Sequence, residues 1–334
     1  MREDLSGLAA PGERDSGGDE VSQRDVIGLG YAALDTIGLT PRLPHLDDHV
    51  LLEDLTRQGG GPVAQALVTL VRLGATAGFV GRIGDDDAGA LIRAGLADEG
   101  VEVAHLQTAP GARSLQSMIL VDKDTGKRSI CAFRGTAGEI DLDDRTRDYL
   151  CSGRFLHLDG HSAAAAVAAA RQAAQRGVRV CLDAGAGTDV DYLLPLIRET
   201  HVLIAAERLT MMASPDGTVA TGAAHLLASG PETVVVTLGE RGSYTLTAGT
   251  EFSTAPFPVT VVDTTGAGDV FHGAYLYGLL QGWDLASTAA FAGATAALKC
   301  TQLGGRAAIP QLPDVLAFMA AQGRPLTAVR QAAE

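Results

Sequence analysis

The stretch Val259-Thr260-Val261-Val262-Asp263-Thr264-Thr265-Gly266-Ala267-Gly268-Asp269-Val270-Phe271-His272-Gly273-Ala274 decides the fold. A β-branched run enters a loop with two glycines. Apolar residues at 270, 271, 274, 275, 278 and 279 then recur at helical spacing. The pattern predicts a strand-to-helix junction, where free backbone N–H groups and the helix dipole favour an anion. Gly266 and Gly268 would let the backbone close on a phosphate with no Cβ in the way. Asp269 stands at the mouth of that site. One reading makes it a helix cap. The other makes it a base that takes a proton from a hydroxyl as that hydroxyl attacks a phosphoryl group. The local sequence leaves both open.

Around this junction, 334 residues are enough for one large α/β domain or two smaller ones. The chain is 46% hydrophobic and 20% charged, ordinary for a globular protein, with no run long enough to span a membrane. Its net charge of −14, from 26 basic and 40 acidic residues, disfavours a nucleic-acid partner, which needs clustered Lys and Arg. Cys131, Cys151, Cys181 and Cys300 are far apart and form no C-x-x-C pair, so reduced thiols and a cytoplasmic setting are expected. Residues 1–23 are polar and lack a signal-peptide core; they read as a disordered tail, and 321–334 as a C-terminal tail.

From Phe155 onward, short apolar runs alternate with helical patterns. Strands are expected near 155–159, 178–183, 201–205 and 233–238, with an Ala-rich helix at 162–175. Such alternation predicts a doubly wound, mostly parallel sheet with helices on both faces. Near the start, Asp25 to Asp35 reads as one buried strand. It contains Gly28-x-Gly30-x-x-Ala33, which raises an NAD(P)-binding Rossmann site. That fingerprint requires a helix directly after the glycines, and Pro41 and Pro44 with β-branched neighbours oppose one. His157-x-Asp159-x-His161 raises the question of a metal site. No further ligand cluster accompanies it, so a buried, satisfied histidine is the default, and Asp159 and His161 stay as cleft candidates.

Asp263-Thr264-Thr265-Gly266-Ala267-Gly268-Asp269 resembles the C-terminal signature of the ribokinase-like (PfkB) carbohydrate kinases. Gly59-Gly60-Gly61-Pro62-Val63-Ala64-Gln65, followed by Phe79 to Gly89, is similar to the N-terminal signature of the same family. The resemblance covers roughly residues 25–320. It implies a kinase domain over 24–320, with segments 36–56 and 113–134 folded into a small β-sheet lid over a sugar site. The hairpin tip at Asp122 to Lys127 reads as a solvated turn without chemistry.

The same resemblance assigns roles. Asp269 would be the catalytic base, and Gly266, Ala267 and Gly268 the anion hole. Asp35, Gly60, Gly61 and Gln65 would hold the sugar, although the family often has Asn where Gln65 stands. Thr237, Gly239 and Gly242 would border the nucleotide. Asp263, Thr265, Lys299, Gln302 and Gly304 would surround a monovalent cation, K⁺, that raises activity. ATP and Mg²⁺ are the implied cofactors. Ala206 and Leu209 replace the residues that usually organise Mg²⁺, which leaves Glu207 as the substitute. Arg306 is expected to be exposed.

Gly59-Gly60-Gly61-Pro62, Ser114-Leu115-Gln116-Ser117 and Lys299-Cys300-Thr301 with Gly304-Gly305-Arg306 are most similar to family members that phosphorylate ketohexose derivatives, including sulfofructose kinases. That resemblance implies a fructose-like substrate, and Arg134 is the candidate partner for an anionic substituent. A nucleoside kinase or ribokinase of the same family is the nearer alternative, and 4% aromatic residues give a nucleoside little to stack on. A Rossmann oxidoreductase and a non-catalytic sugar-binding regulator are the more distant ones. The lid, with one apolar face, is also the expected contact in a homodimer.

Overall fold

The computed structural model describes residues 24–185 and 189–327. The expected tail 1–23, and residues 328–334 of the expected C-terminal tail, lie outside the described residues.

In chain order the strands are β1 (Val26–Leu29), β2 (Ala33–Thr40), β3 (Asp54–Gly60), β4 (Ala77–Gly84), β5 (Leu106–Ala109), β6 (Gln116–Asp122), β7 (Arg128–Phe133), β8 (Phe155–Leu158), β9 (Arg179–Ala184), β10 (Val202–Ala206), β11 (Thr233–Thr237), β12 (Ser243–Thr247) and β13 (Glu251–Thr254). The helices are α1 (Pro62–Arg72), α2 (Asp87–Asp98), α3 (Asp144–Leu150), α4 (Ala163–Gln175), α5 (Val190–Ile197), α6 (Glu207–Met212), α7 (Val219–Ala228), α8 (Ala267–Leu280), α9 (Leu285–Lys299) and α10 (Leu312–Ala321).

Nine strands form one sheet in the order β13-β12-β11-β10-β9-β8-β1-β4-β5. Pairing is parallel from β11 through β5, and only β12 and β13 run antiparallel at one edge. Successive strand residues point to opposite faces, and both faces are covered. Val26 joins a core built with α1, α2, α8, α9 and α10. Ile27 and Leu29 join a second core built with α3 through α7. Gly28 permits the first packing. A Cβ there would lie 2.4 Å from Val63 Cγ1 and 2.7 Å from Leu67 Cδ1, so α1 rests directly on bare backbone.

The remaining strands form a separate sheet in the order β3-β2-β6-β7. The register sets Asp35 beside Ser117 and Ser117 beside Ala132; two positions on, Ile37, Ile119 and Ile130 align. On that face Ile37, Ile119 and Val121 pack on Leu303, while Ile130 on the outer strand stays half exposed. Thr36, Met118 and Cys131 align on the outer face, where Met118 is 68% exposed.

Three expectations are corrected. The segment Asp25 to Asp35 is not one strand: β1 ends at Leu29, the chain crosses at Gly30-Tyr31-Ala32, and β2 begins the lid at Ala33. The lid therefore extends beyond both ends of 36–56. Because a lid strand follows Gly28 and Gly30, the helix that a Rossmann site requires is absent there. Finally, Val259 to Val262 pairs with no strand. Val262 N–H instead donates to Cys300 O, at the end of α9, over 2.8 Å.

Candidate active site

Helix α8 starts at Ala267, and its N-cap Gly266 lies in the left-handed region at φ 75°. A Cβ at Gly266 would also lie 3.1 Å from Gly305 Cα, so glycine suits both the turn and the close approach. Ala267 N–H turns back to Thr264 O at 3.3 Å, and Val270 N–H opens the helical ladder on Gly266 O. The N–H groups of Gly268 and Asp269 belong to the same first turn, where a helix has donors without intrahelical acceptors. A Cβ at Gly268 would meet nothing within 4 Å, so this turn opens onto free space. The turn of Gly266, Ala267 and Gly268 thus offers free donors at Gly268 and Asp269 and open space beside them.

Asp269 is half-buried in that first turn, and its side chain caps nothing. Burial raises its pKa, the charge of Asp183 raises it further, and His272 and Arg128 oppose the shift. A carboxylate with a raised pKa at an anion site is suited to accepting a proton. Behind it, His272 Nδ1 lies 3.1 Å from Asp183 Oδ2. Asp183 stands near the C-terminal end of β9, where parallel sheets present ligand-binding groups.

Asp35 belongs to the lid, on β2. Burial pushes its pKa up to about 6, against a hydrogen bond from Ser117 and the charge of Arg306. The adjacent glycines act as moulds. A Cβ at Gly60 would lie 2.0 Å from Asp35 Oδ2, and one at Gly59 would lie 2.4 Å from an Arg306 guanidinium nitrogen. Gly61, at φ 100°, caps α1 and would place a Cβ 2.4 Å from Tyr31 O.

Arg306, expected at the surface, is only 8% exposed. Its Nε donates to Gln65 Oε1 at 2.9 Å, its Nη1 to Gly95 O at 3.2 Å, and its backbone N–H to Gln58 Oε1 at 2.9 Å. Burial lowers its pKa to about 10. The correction also covers Gln65, which is buried beneath the guanidinium with its amide oxygen engaged. Its amide oxygen is thus held by Arg306 and not free for a sugar hydroxyl. Arg134 follows β7, is exposed, and acts by its charge on His161. Arg128, at the other end of β7, lies close enough for its charge to act on Asp269.

Tyr31 was missed in the sequence. Burial raises its phenol pKa first, and the charges of Asp159, Asp269, Asp183 and Asp35 add to the shift. The charges of four carboxylates thus reach this one phenol. Asp159 holds the crossover: its Oδ2 accepts Tyr31 N–H at 3.1 Å and its Oδ1 accepts His161 N–H at 2.9 Å. Burial nevertheless raises its pKa to about 7. His157 is fully buried, which lowers its pKa to about 4. The chain offered a signal for Asp183, since it ends a β-run as Asp159 does, and none for Tyr31 or Arg306.

Where the nucleotide is expected, Thr237 closes β11 and is followed by a short 3-10 turn from Gly239 to Arg241. Gly239 (φ 58°) and Gly242 (φ 86°) shape that turn, and Leu238 N–H donates to Gly242 O at 2.8 Å. Glu207, at the start of α6, forms an ion pair with Arg241. That partner would have to give way for Glu207 to hold Mg²⁺. Among the described residues no group of three or more His, Cys, Asp or Glu could hold a metal ion.

The ligand set expected for a monovalent cation fits poorly. Asp263 Oδ1 accepts Thr265 N–H and Oδ2 accepts Gly304 N–H, each at 2.7 Å. The Asp263 carbonyl accepts Lys299 Nζ at 2.8 Å. Gln302 is exposed.

Comparison with known proteins agrees with this geometry. The model of the pfkB family carbohydrate kinases matches residues 23–312. The chain is 29% identical to a 5-dehydro-2-deoxygluconokinase of Shouchella clausii, over 91% of this chain and 98% of that one. It is 30% identical to a ribokinase of Haemophilus influenzae, over 78% and 87%. The structure of Arabidopsis thaliana ribokinase complexed with ribose and ATP superposes with a TM-score of 0.76 at 24% identity, over 89% and 98%.

Proposed function

Because the chain belongs to the PfkB family of carbohydrate kinases, and is thus an ATP-dependent sugar kinase of ribokinase-like fold, we propose that its acceptor is a ketohexose derivative. The sugar is fructose-like, carries an anionic group such as the sulfonate of sulfofructose, and is phosphorylated on a primary hydroxyl. The observation that supports this reading is that three guanidinium groups act by their charge on residues expected in the cleft: Arg128 on Asp269, Arg134 on His161 and Arg306 on Asp35. Guanidinium groups in such positions suit a sulfonate or carboxylate. The Shouchella clausii relative, named for an oxidised gluconate derivative, agrees with an acidic sugar.

In the reaction, the Asp269 carboxylate takes the proton of the acceptor hydroxyl as its oxygen bonds to the γ-phosphorus of ATP. The bond to the bridging oxygen breaks, and ADP leaves with that electron pair. The N–H groups of Gly268 and Asp269, in the turn that Gly266 and Ala267 open, hold the oxygens of the transferring group. Bound Mg²⁺ would neutralise phosphate charge. Asp35 accepts hydrogen bonds from sugar hydroxyls, and the lid excludes water from the reacting atoms.

The test is ATP-dependent phosphorylation of sulfofructose, fructose, 5-dehydro-2-deoxygluconate, ribose and adenosine, ranked by kcat/KM. A charged ketose should lead. Arg134→Ala should raise KM for it about tenfold, the loss of one charge-assisted contact, and leave fructose nearly unchanged. A lead for ribose or adenosine would overturn the assignment.

A further inference from the structure

We propose that the Lys299 ammonium is a built-in cation that holds the anion loop in shape, where a monovalent ion from solution would otherwise be needed. Lys299 is the last residue of α9, and its side chain is wholly shielded from solvent. Lysine almost never occupies such a place without a partner. Here Nζ donates to Asp263 O at 2.8 Å. The end of α9 is also where the helix dipole favours positive charge.

The surrounding backbone makes this contact consequential. Val262 and Asp263 donate their N–H groups to Cys300 O, at 2.8 and 3.3 Å. Asp263 in turn ties Thr265 N–H and Gly304 N–H through its carboxylate. Thr265 leads directly into Gly266 and the anion hole. The ammonium thus lies beneath a closed knot of two loops whose far end is the first turn of α8. Lys299 and Asp269 are near enough for their charges to interact. Potassium and ammonium ions are alike in charge and similar in size, so a tethered ammonium can do the same work. Like charge in a poorly solvated site repels a second cation at the same carbonyl. Lys299 is a positioning residue: it touches neither sugar nor phosphate.

The activity arm of the test rests on the kinase reading above, and the melting arm does not. The full chain is assayed, and melted, in KCl and in tetramethylammonium chloride at equal ionic strength. Wild-type rates should agree within about twofold, the scale left to nonspecific screening. Its melting temperature should not depend on which cation is present. Lys299→Met should lose about tenfold or more in kcat in tetramethylammonium, recover part of it in K⁺ or NH₄⁺, and melt higher in those salts. A wild-type rate or melting temperature that rises clearly with K⁺ overturns the proposal. So does a Lys299→Met enzyme that keeps full activity, or one whose loss no cation repairs. If the variant fails to fold, the wild-type comparison decides alone. If no sugar is phosphorylated, the kinase assignment fails separately and the melting comparison still answers the cation question.

Discussion

Arg128 Nη1, on the lid, donates to Oγ1 of Thr264 across 3.0 Å, and the same hydroxyl donates to Gly126 O at 3.1 Å. The tip of the β6–β7 hairpin is thereby seated on the loop that leads into the anion site. A Cβ at Gly126 would lie 2.7 Å from Val261 Cγ1, so the seat is close. Arg128→Ala should raise KM for the sugar by roughly threefold to tenfold, the worth of one charge-assisted hydrogen bond at an exposed position. Steady-state kinetics check this; an unchanged KM would show that tip docking does not govern sugar capture.

Asp269→Asn should fold normally and bind ATP as the wild type does, while kcat falls by roughly two to four orders of magnitude, the usual contribution of a general base. Calorimetric ATP titration and initial rates separate the two effects. Retention of more than about a tenth of the activity would remove Asp269 from the role of base.

The acid limb of the kcat profile should lie above the ordinary carboxylate range. Asp269 must be ionised to accept a proton, and its pKa is raised by burial and by Asp183. Activity is therefore full above the raised pKa and is lost as pH falls through it. Asp183→Asn removes a like charge and should move the limb to lower pH. Arg128→Ala removes an opposite charge and should move it to higher pH. Shifts in the same direction for both variants would contradict this electrostatic account.

The lid is also expected to join two copies of the chain. Met118 and Leu55 stand on its outer side, 68% and 60% exposed, where a second lid can cover them. Light scattering at micromolar concentration should report a dimer, and a monomeric mass would reject the expectation.

The regular part of the fold was legible because each parallel strand is an apolar run and each crossover a helical pattern. The Gly266–Asp269 junction was legible because two glycines and a carboxylate precede a long apolar helix. Other features depend on contacts between distant segments. Val259 to Val262 has strand composition, yet its hydrogen-bond partner is a helix end, which a β-branched run does not reveal. Asp35 reads as the close of the first strand because nothing local marks the crossing. That crossing is fixed from afar, by Asp159 accepting the Tyr31 N–H. Arg306 is buried because Gly59, far upstream, leaves space for its guanidinium.

The four carboxylates around Tyr31 also bear on how a turnover ends. A sugar enters with at most a modest negative charge, and ATP's phosphates come with neutralising metal. After transfer the sugar carries a phosphate dianion of its own, among groups chosen to receive hydroxyls. Once ADP and the metal depart, Asp269 and Asp183 turn like charge toward that dianion, while Arg128 turns opposite charge toward it. Release of the phosphorylated sugar is then set by the balance between the carboxylates that repel its phosphate and the guanidinium groups that attract it.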